Sequence, residues 1–489
     1  MLNNIKKLLK NSAIYGIGNI SGKLVGFILI PLYTKKFSVD EYGIISLLEI
    51  TSTLLITVFG FKIYQAFFRF YWDSEYINNQ RALFFTSFSI LVAASVFLVS
   101  IGFTQSSEIS SLLFGKHTYS ELIRLMVVGA ALQIVNQILL TLMRIQEKSS
   151  LYASSTVLRT AIILILTVYF IVNRNMGISG IYYAQIAGQI LFFIALIKYF
   201  LSNISLKFDT RLVKELLAYS IPLIFSSIFT ILLSVSDRYM LRILADLENV
   251  GLYSLGFKIA NTTKVFLVTS VQLAISPMIF KMMDDPNNKR FYSKIMTYFS
   301  FVVMIFILII AGFSKELIEL VAQSKEFWQA YQVVPVISVS IFFGMLMSTS
   351  QTGILITKNT KVFSIIISLS AIVNILFNWL LIPLYDEMGA AFASLISQLL
   401  SFMLVLRYAQ KYYFIPYELK KVAYIFVLGI SILSLMFFIN DWPMELVLPA
   451  KLLLILSFPL VLYLFNFYEK REIQSIKLIG TKVLNSVKK

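Results

Sequence analysis

Apolar stretches of 17–25 residues recur along almost the whole chain. Each is long enough for a helix to cross the ~30 Å hydrocarbon core of a bilayer. They predict spans near 12–34, 42–61, 84–103, 122–142, 152–172 and 180–201. A second set lies near 217–236, 252–276, 297–313, 331–352, 362–382 and 389–408, with two more at 422–440 and 446–466. The pattern predicts an all-α polytopic membrane protein with 14 transmembrane helices. The connecting segments are short, which leaves no room for a soluble catalytic domain on either face.

Polar residues inside the spans have a period of their own. Ser12, Gly16, Asn19, Lys23 and Gly26 step by 4, 3, 4 and 3, which puts them on one face of the first span. The second span repeats the device with Tyr42, Ser46, Glu49, Thr53, Thr57 and Gly60. The seventh carries Thr230, Ser234 and Asp237, and the eighth Lys258, Asn261, Thr269, Gln272 and Ser276 with one apolar step at Val265. Such stripes cannot face lipid, so they face a wet cavity or neighbouring helices. The run Lys62-Ile-Tyr-Gln-Ala-Phe-Phe-Arg-Phe-Tyr-Trp-Asp73 predicts an interfacial helix with an aromatic belt.

Charge fixes the orientation. With the N-terminus cytoplasmic, 28 Lys and Arg fall on the cytoplasmic side and 9 on the other, so both termini are predicted cytoplasmic. The formal charge of +17 then reports topology and does not call for nucleic acid. The leader with Lys6, Lys7 and Lys10 precedes an apolar run as in a signal peptide, but Lys23 interrupts that run and no small-residue cleavage site follows; it reads as an uncleaved first span. The basic tail 467–489 spaces Ile473, Ile476, Val483 and Val487 as an interfacial helix on the anionic inner leaflet. The chain has no cysteine and a single histidine, His117. Thiol chemistry, thiolate metal sites and histidine metal clusters are thereby excluded.

An internal repeat is present. Glu41-Tyr-Gly-Ile-Ile-Ser-Leu47 reappears as Asn249-Val-Gly-Leu-Tyr-Ser-Leu255, an offset of 208. Gly180-Ile-Tyr-Tyr-Ala184 with Gln189 matches Gly389-Ala-Ala-Phe-Ala393 with Gln398, an offset of 209. Two distant matches at almost one offset make a repeat of six spans. An even number preserves orientation, so the halves are parallel repeats, an architecture that places substrate between two lobes that rock. The predicted organisation is a six-helix lobe at 1–208, a second at 209–415, two additional helices at 416–466, and the tail at 467–489.

The opening Gly18-Asn-Ile-Ser-Gly-Lys-Leu-Val-Gly-Phe-Ile-Leu-Ile-Pro-Leu32 with Asp40-Glu-Tyr-Gly43 resembles the start of the Wzx-type polysaccharide transporters. So do Ser236-Asp-Arg-Tyr-Met-Leu241, Val250-Gly-Leu-Tyr-Ser-Leu255 with Lys258-Ile-Ala260, and Pro277. These belong to the multidrug/oligosaccharidyl-lipid/polysaccharide exporter superfamily. The resemblance implies a flippase of the bacterial cytoplasmic membrane that moves an undecaprenyl-diphosphate-linked oligosaccharide for surface polysaccharide synthesis. It also implies a cation-lined cavity and, for some members, coupling to an ion gradient.

Deep charges fit that implication. Lys23, Arg124, Arg159, Lys258 and Lys264 lie within spans, and Arg124 is near enough to an end to snorkel. The remaining four face two deep acids, Glu49 and Asp237, for a formal +2. Interhelical glue is one reading: Lys23 with Glu49, and Asp237 with Lys258 or Arg238, each worth about 1 kcal/mol. It leaves the excess of cations unexplained. A permeating diphosphate explains it, and lysine suits transient capture of such a group. The candidate substrate-binding residues are therefore Lys23, Arg159, Lys258 and Lys264, with Glu49 and Asp237 as ion-coupling or pairing acids. Asn19, Thr53, Ser234, Asn261 and Gln272 line the cavity, and Tyr15, Tyr42 and Tyr253 are candidates for stacking on sugar rings.

No cofactor is expected beyond an H+ or Na+ gradient. Expected partners are the lipid-linked oligosaccharide, membrane lipids, and a polysaccharide polymerase and glycosyltransferases of the same pathway. A lipid II flippase is a close alternative. A cation-coupled multidrug exporter would favour twelve spans and an acidic cavity. A membrane enzyme is disfavoured, because the outer loops 104–121 and 237–251 hold no paired carboxylates or histidine dyad.

Overall fold

The computed structural model describes residues 22, 25–465 and 467–469. It is all-α among those residues. The helices that concern the site are α1 (Val39–Phe59), α2 (Gln80–Thr104), α3 (Ser120–Ile145), α4 (Ser149–Val168), α5 (Gly177–Ala195) and α6 (Thr210–Leu244). They are followed by α7 (Leu247–Thr263), α8 (Thr269–Lys281), α9 (Asn288–Gly312), α10 (Val333–Ser350), α11 (Thr360–Tyr412), α12 (Leu419–Phe438) and α13 (Met444–Leu464). Among the described residues, eleven helical segments are long and apolar enough to cross a membrane.

The predicted spans reconcile with that number. Of the first predicted span, 12–34, residues 22 and 25–34 are described, and its end forms the helix Ile30–Lys36. The eighth runs through α7, a π-helical turn at Lys264–Val268, and α8. The eleventh and twelfth are fused in α11, a run of 53 residues broken only at Asp386 (φ 47°, ψ −127°). Pro383 precedes the break, and Gly389 follows it where a Cβ would overlap the Leu381 carbonyl. The two limbs of α11 are thus a tight helical hairpin, and only a residue without a side chain permits the approach.

Local chemistry sets the start of α1. Ser38 Oγ accepts from the Glu41 amide at 3.2 Å, and Glu41 Oε2 accepts from the Ser38 amide at 3.0 Å. This capping box satisfies two amides that a helix start leaves open, and it explains the Asp40-Glu-Tyr-Gly43 motif. At the other end, Phe61 and Lys62 take positive φ and lead into the short helix Ile63–Phe70. That helix buries Ile63, Ala66 and Phe67 and exposes Phe68, and Trp72 just beyond it is exposed too, as expected of an interfacial helix.

The chain forms two compact units. One comprises the chain up to Lys258, together with Glu319–Ala330 and Ile367–Ser397. The other comprises Ile259–Ile318, Tyr331–Ile366 and the chain from Gln398 onward. The first unit contains the two repeat-related segments at the starts of α1 and α7. A Cβ on Gly43 would overlap the Leu247 carbonyl, and a Cβ on Gly251 would overlap the Val39 carbonyl. At the predicted offset, Val39 corresponds to Leu247 and Gly43 to Gly251, so the contact is reciprocal. Ser46 and Ser254, also related by 208 positions, share a hydrogen bond of 2.6 Å.

Gly43→Val is expected to destabilise the protein by about 2–3 kcal/mol, since the obstacle is backbone and cannot swing aside. Ser46→Ala should cost about 1 kcal/mol. Thermal melting of the purified protein in detergent checks both. Equal melting of Gly43→Val and the parent would mean that the close approach does not matter.

Candidate functional site

Asp237 is the most completely held of the deep charges. It is 1% exposed, on α6. Tyr253 OH on α7 and Ser394 Oγ on the second limb of α11 each donate to Oδ2 at 2.6 Å. Asn374 Nδ2 and Asn378 Nδ2, one turn apart on the first limb of α11, donate to Oδ1 at 3.1 and 2.8 Å. Around them, Ser236 Oγ donates to Asn374 Oδ1 at 2.6 Å, and Asn374 Nδ2 reaches Ser397 Oγ at 3.4 Å. The Asn378 carboxamide oxygen is buried and without a hydrogen-bond partner. The break at Asp386 makes this possible, because it brings both limbs of α11 to one carboxylate.

The arrangement corrects one expectation. Asp237 pairs with neither Lys258 nor Arg238; its partners are four neutral donors. Arg238 turns instead to Ser254 Oγ at 3.2 Å and the Ser234 carbonyl at 3.4 Å, with its guanidinium 4.3 Å from the Phe257 ring centroid. Two stacking candidates are also reassigned. Tyr253 is fully buried and occupied by Asp237, and Tyr42 is buried with its ring edge-on to Phe327. Neither offers a face to a sugar.

Lys258, on α7, is half-buried with Nζ 5.7 Å from the Tyr42 ring centroid. A Cβ on Gly26 would come 3.9 Å from that Nζ, an ordinary contact distance, so Gly26 packs beside the ammonium. Glu49 lies within electrostatic reach of Lys258 but is itself exposed, as is Thr53 one turn along. Ser234 is exposed too. Thr53 and Ser234 spend their hydroxyls on backbone carbonyls of their own helices, at 2.9 and 2.8 Å.

Arg159 on α4 is half-buried, with its guanidinium 4.9 Å from the Phe192 centroid on α5. Among the described residues, no carboxylate stands at ion-pair distance from Arg159 or Lys258. Lys264 begins the π-helical turn and is exposed, and Asn261 is half-buried. In the second unit, Gln272 Nε2 donates to Ser348 Oγ at 2.5 Å. Lys23, Asn19 and Tyr15, and the tail from 470 onward, lie outside the described residues.

A model of the family described as polysaccharide biosynthesis protein matches residues 8–283, more than half of the chain. The chain belongs to the polysaccharide biosynthesis protein family. This transporter also matches the MatE family model over residues 222–380, which places it in the multidrug/oligosaccharidyl-lipid/polysaccharide exporter superfamily. An uncharacterized membrane protein of Haemophilus influenzae is 25% identical over 295 residues, covering 58% of this chain and 67% of that protein. Its fold is similar to that of the lipid II flippase MurJ in an inward closed conformation, with a TM-score of 0.76, 15% identity, and coverage of 93% of this chain and 100% of that one. It is also similar to an inward-facing multidrug resistance transporter of the MATE family, with a TM-score of 0.64, 14% identity, and coverage of 80% and 94%. The transporter is a multi-pass integral membrane protein and not an enzyme.

Asn374, Asn378, Ser394 and Ser397 were missed by sequence reasoning. A signal existed: two carboxamides four residues apart in an apolar span share a helix face and need partners.

Proposed function

We propose that this transporter is a flippase, carrying an undecaprenyl-diphosphate-linked oligosaccharide across the bacterial cytoplasmic membrane by alternating access, for O-antigen, capsule or exopolysaccharide synthesis. One observation carries the reading: the deep cations Lys258 and Arg159 have no carboxylate at ion-pair distance among the described residues. Fixed positive charge that is not neutralised in contact is what a diphosphate needs to cross a low-dielectric region. The Asp237 cage supports coupling to a cation gradient. Its donor set is one carboxylate with carboxamide and hydroxyl oxygens, all hard ligands, and its single negative charge matches a monovalent cation. Half a turn of the Asn378 carboxamide would present its unpartnered oxygen to that cation.

The test is reconstitution. Purified protein in proteoliposomes, with the lipid-linked oligosaccharide in one leaflet, should render the sugar accessible to a glycosidase on the other side when a Na+ or H+ gradient is imposed. No movement of the sugar under either gradient ends the proposal. The fold likeness to a lipid II flippase makes lipid II the second substrate for the same assay.

In that assay Lys23→Ala should slow flipping roughly tenfold at normal abundance, and Lys23→Glu more, since it turns an attraction for the diphosphate into a repulsion. Rescue by the paired swap Lys23→Glu with Glu49→Lys would instead favour glue.

A further inference from the structure

The second unit holds a cavity of about 110 Å³ between α8, α9, α10 and the short helix Thr352–Ile356. Its polar lining is neutral and includes Gln272, Ser348, Gln351 and Thr352. Apolar side chains, among them Ile275, Ile295 and Phe299, make up much of the rest of the lining. No charged residue lines it. The Ser348 and Thr352 hydroxyls are committed to the carbonyls of Met345 and Thr349, at 2.8 and 2.9 Å. The Gln351 carboxamide makes no hydrogen bond with any described residue, which leaves both its N–H and its C=O for a ligand. Gln272 ties the cavity to the polar stripe of the eighth span.

We propose that this cavity reads an acetamido group on a sugar of the transported oligosaccharide. The inference rests on the flippase reading given above. An uncharged lining has nothing for a diphosphate or a cationic drug, and a lipid tail would leave the carboxamide unpaired. The volume is below the ~150 Å³ that holds a benzene-sized molecule, so a substituent enters and a whole sugar chain does not. An acetamido group matches both the polar and the apolar lining residues. Its N–H and C=O pair reciprocally with the Gln351 carboxamide, and its methyl meets Ile275, Ile295 and Phe299. A hydroxyl at the same position would leave the apolar side chains without a contact and half of the carboxamide unused.

The experiment measures binding to the full-length protein in nanodiscs, using undecaprenyl-diphosphate N-acetylglucosamine and undecaprenyl-diphosphate glucose as probes. The parent should bind the acetamido compound about tenfold more tightly, the scale of one or two neutral hydrogen bonds plus a buried methyl. Gln351→Leu should reduce that preference to within about twofold while both compounds still bind. Ile275→Phe fills the cavity from an apolar lining position and should do the same with every polar group intact, which separates occupancy from any misfolding of the first variant. Equal binding of both probes by the parent, or an undiminished preference in Ile275→Phe, overturns the pocket proposal and leaves the flippase reading standing. Binding of neither probe by the parent removes the flippase reading, and the pocket with it.

Discussion

Asp237→Ala is expected to abolish gradient-driven transport and to destabilise the purified protein by about 3–5 kcal/mol. The carboxylate is the common acceptor for Tyr253, Ser394, Asn374 and Asn378. Removing it strands four buried donors, each costing about 1–3 kcal/mol before the site relaxes. Asp237→Asn separates the two effects. It keeps the shape and one oxygen, so melting should fall less, but it removes the negative charge and turns an N–H₂ toward two donors. Coupling should therefore be lost in both variants, measured as the difference in flipping with and without an imposed cation gradient. Full gradient-dependent transport by Asp237→Asn would show that the cage is structural only, and Glu49→Gln would become the next variant to examine.

Lys258→Glu should slow flipping at least a hundredfold. Two unit charges 4 Å apart in a partly screened site interact by roughly 4 kcal/mol, and reversing one turns an attraction for phosphate into a repulsion of similar size. The substitution also adds an acid within reach of the exposed Glu49. Lys258→Met should lose about tenfold, since the stem can still pack under Tyr42. Lys258→Arg should retain most activity, because it keeps the positive charge. Abundance in the membrane must be measured alongside. A Lys258→Glu protein that reaches normal abundance and flips at the parent rate would remove this lysine from the substrate path.

Much of the architecture was legible in the residues. Long apolar runs with short polar breaks fix helices, because lipid forbids any other spanning backbone here. The offset of 208 was legible too, and Gly43, Ser46, Gly251 and Ser254 meet reciprocally. Partners were less accessible. A polar stripe tells which way Asp237 points but not which side chains wait there, and the donors on α11 lie 137 to 157 positions away. Charge was a poor guide for the same reason. Asp237 and Arg238 are adjacent in sequence, yet adjacent residues on a helix point about 100° apart, and each found a separate set of partners. Tyr253 looked free because its hydroxyl carries no mark of the carboxylate it serves.

The distance along the chain between Asp237 and its donors also sets an order of events during synthesis. Asn374 follows Asp237 by 137 residues. At ribosomal speeds of about 5–20 residues per second, the carboxylate waits roughly 7–27 s for its first asparagine. Tyr253 arrives early, only 16 residues later, and is the one donor at hand in that interval. Until α11 is made, the nascent chain therefore carries an acid three of its four native donors short. A ribosome stalled before residue 374 would expose a membrane intermediate that quality-control proteases can recognise by that single unsatisfied group.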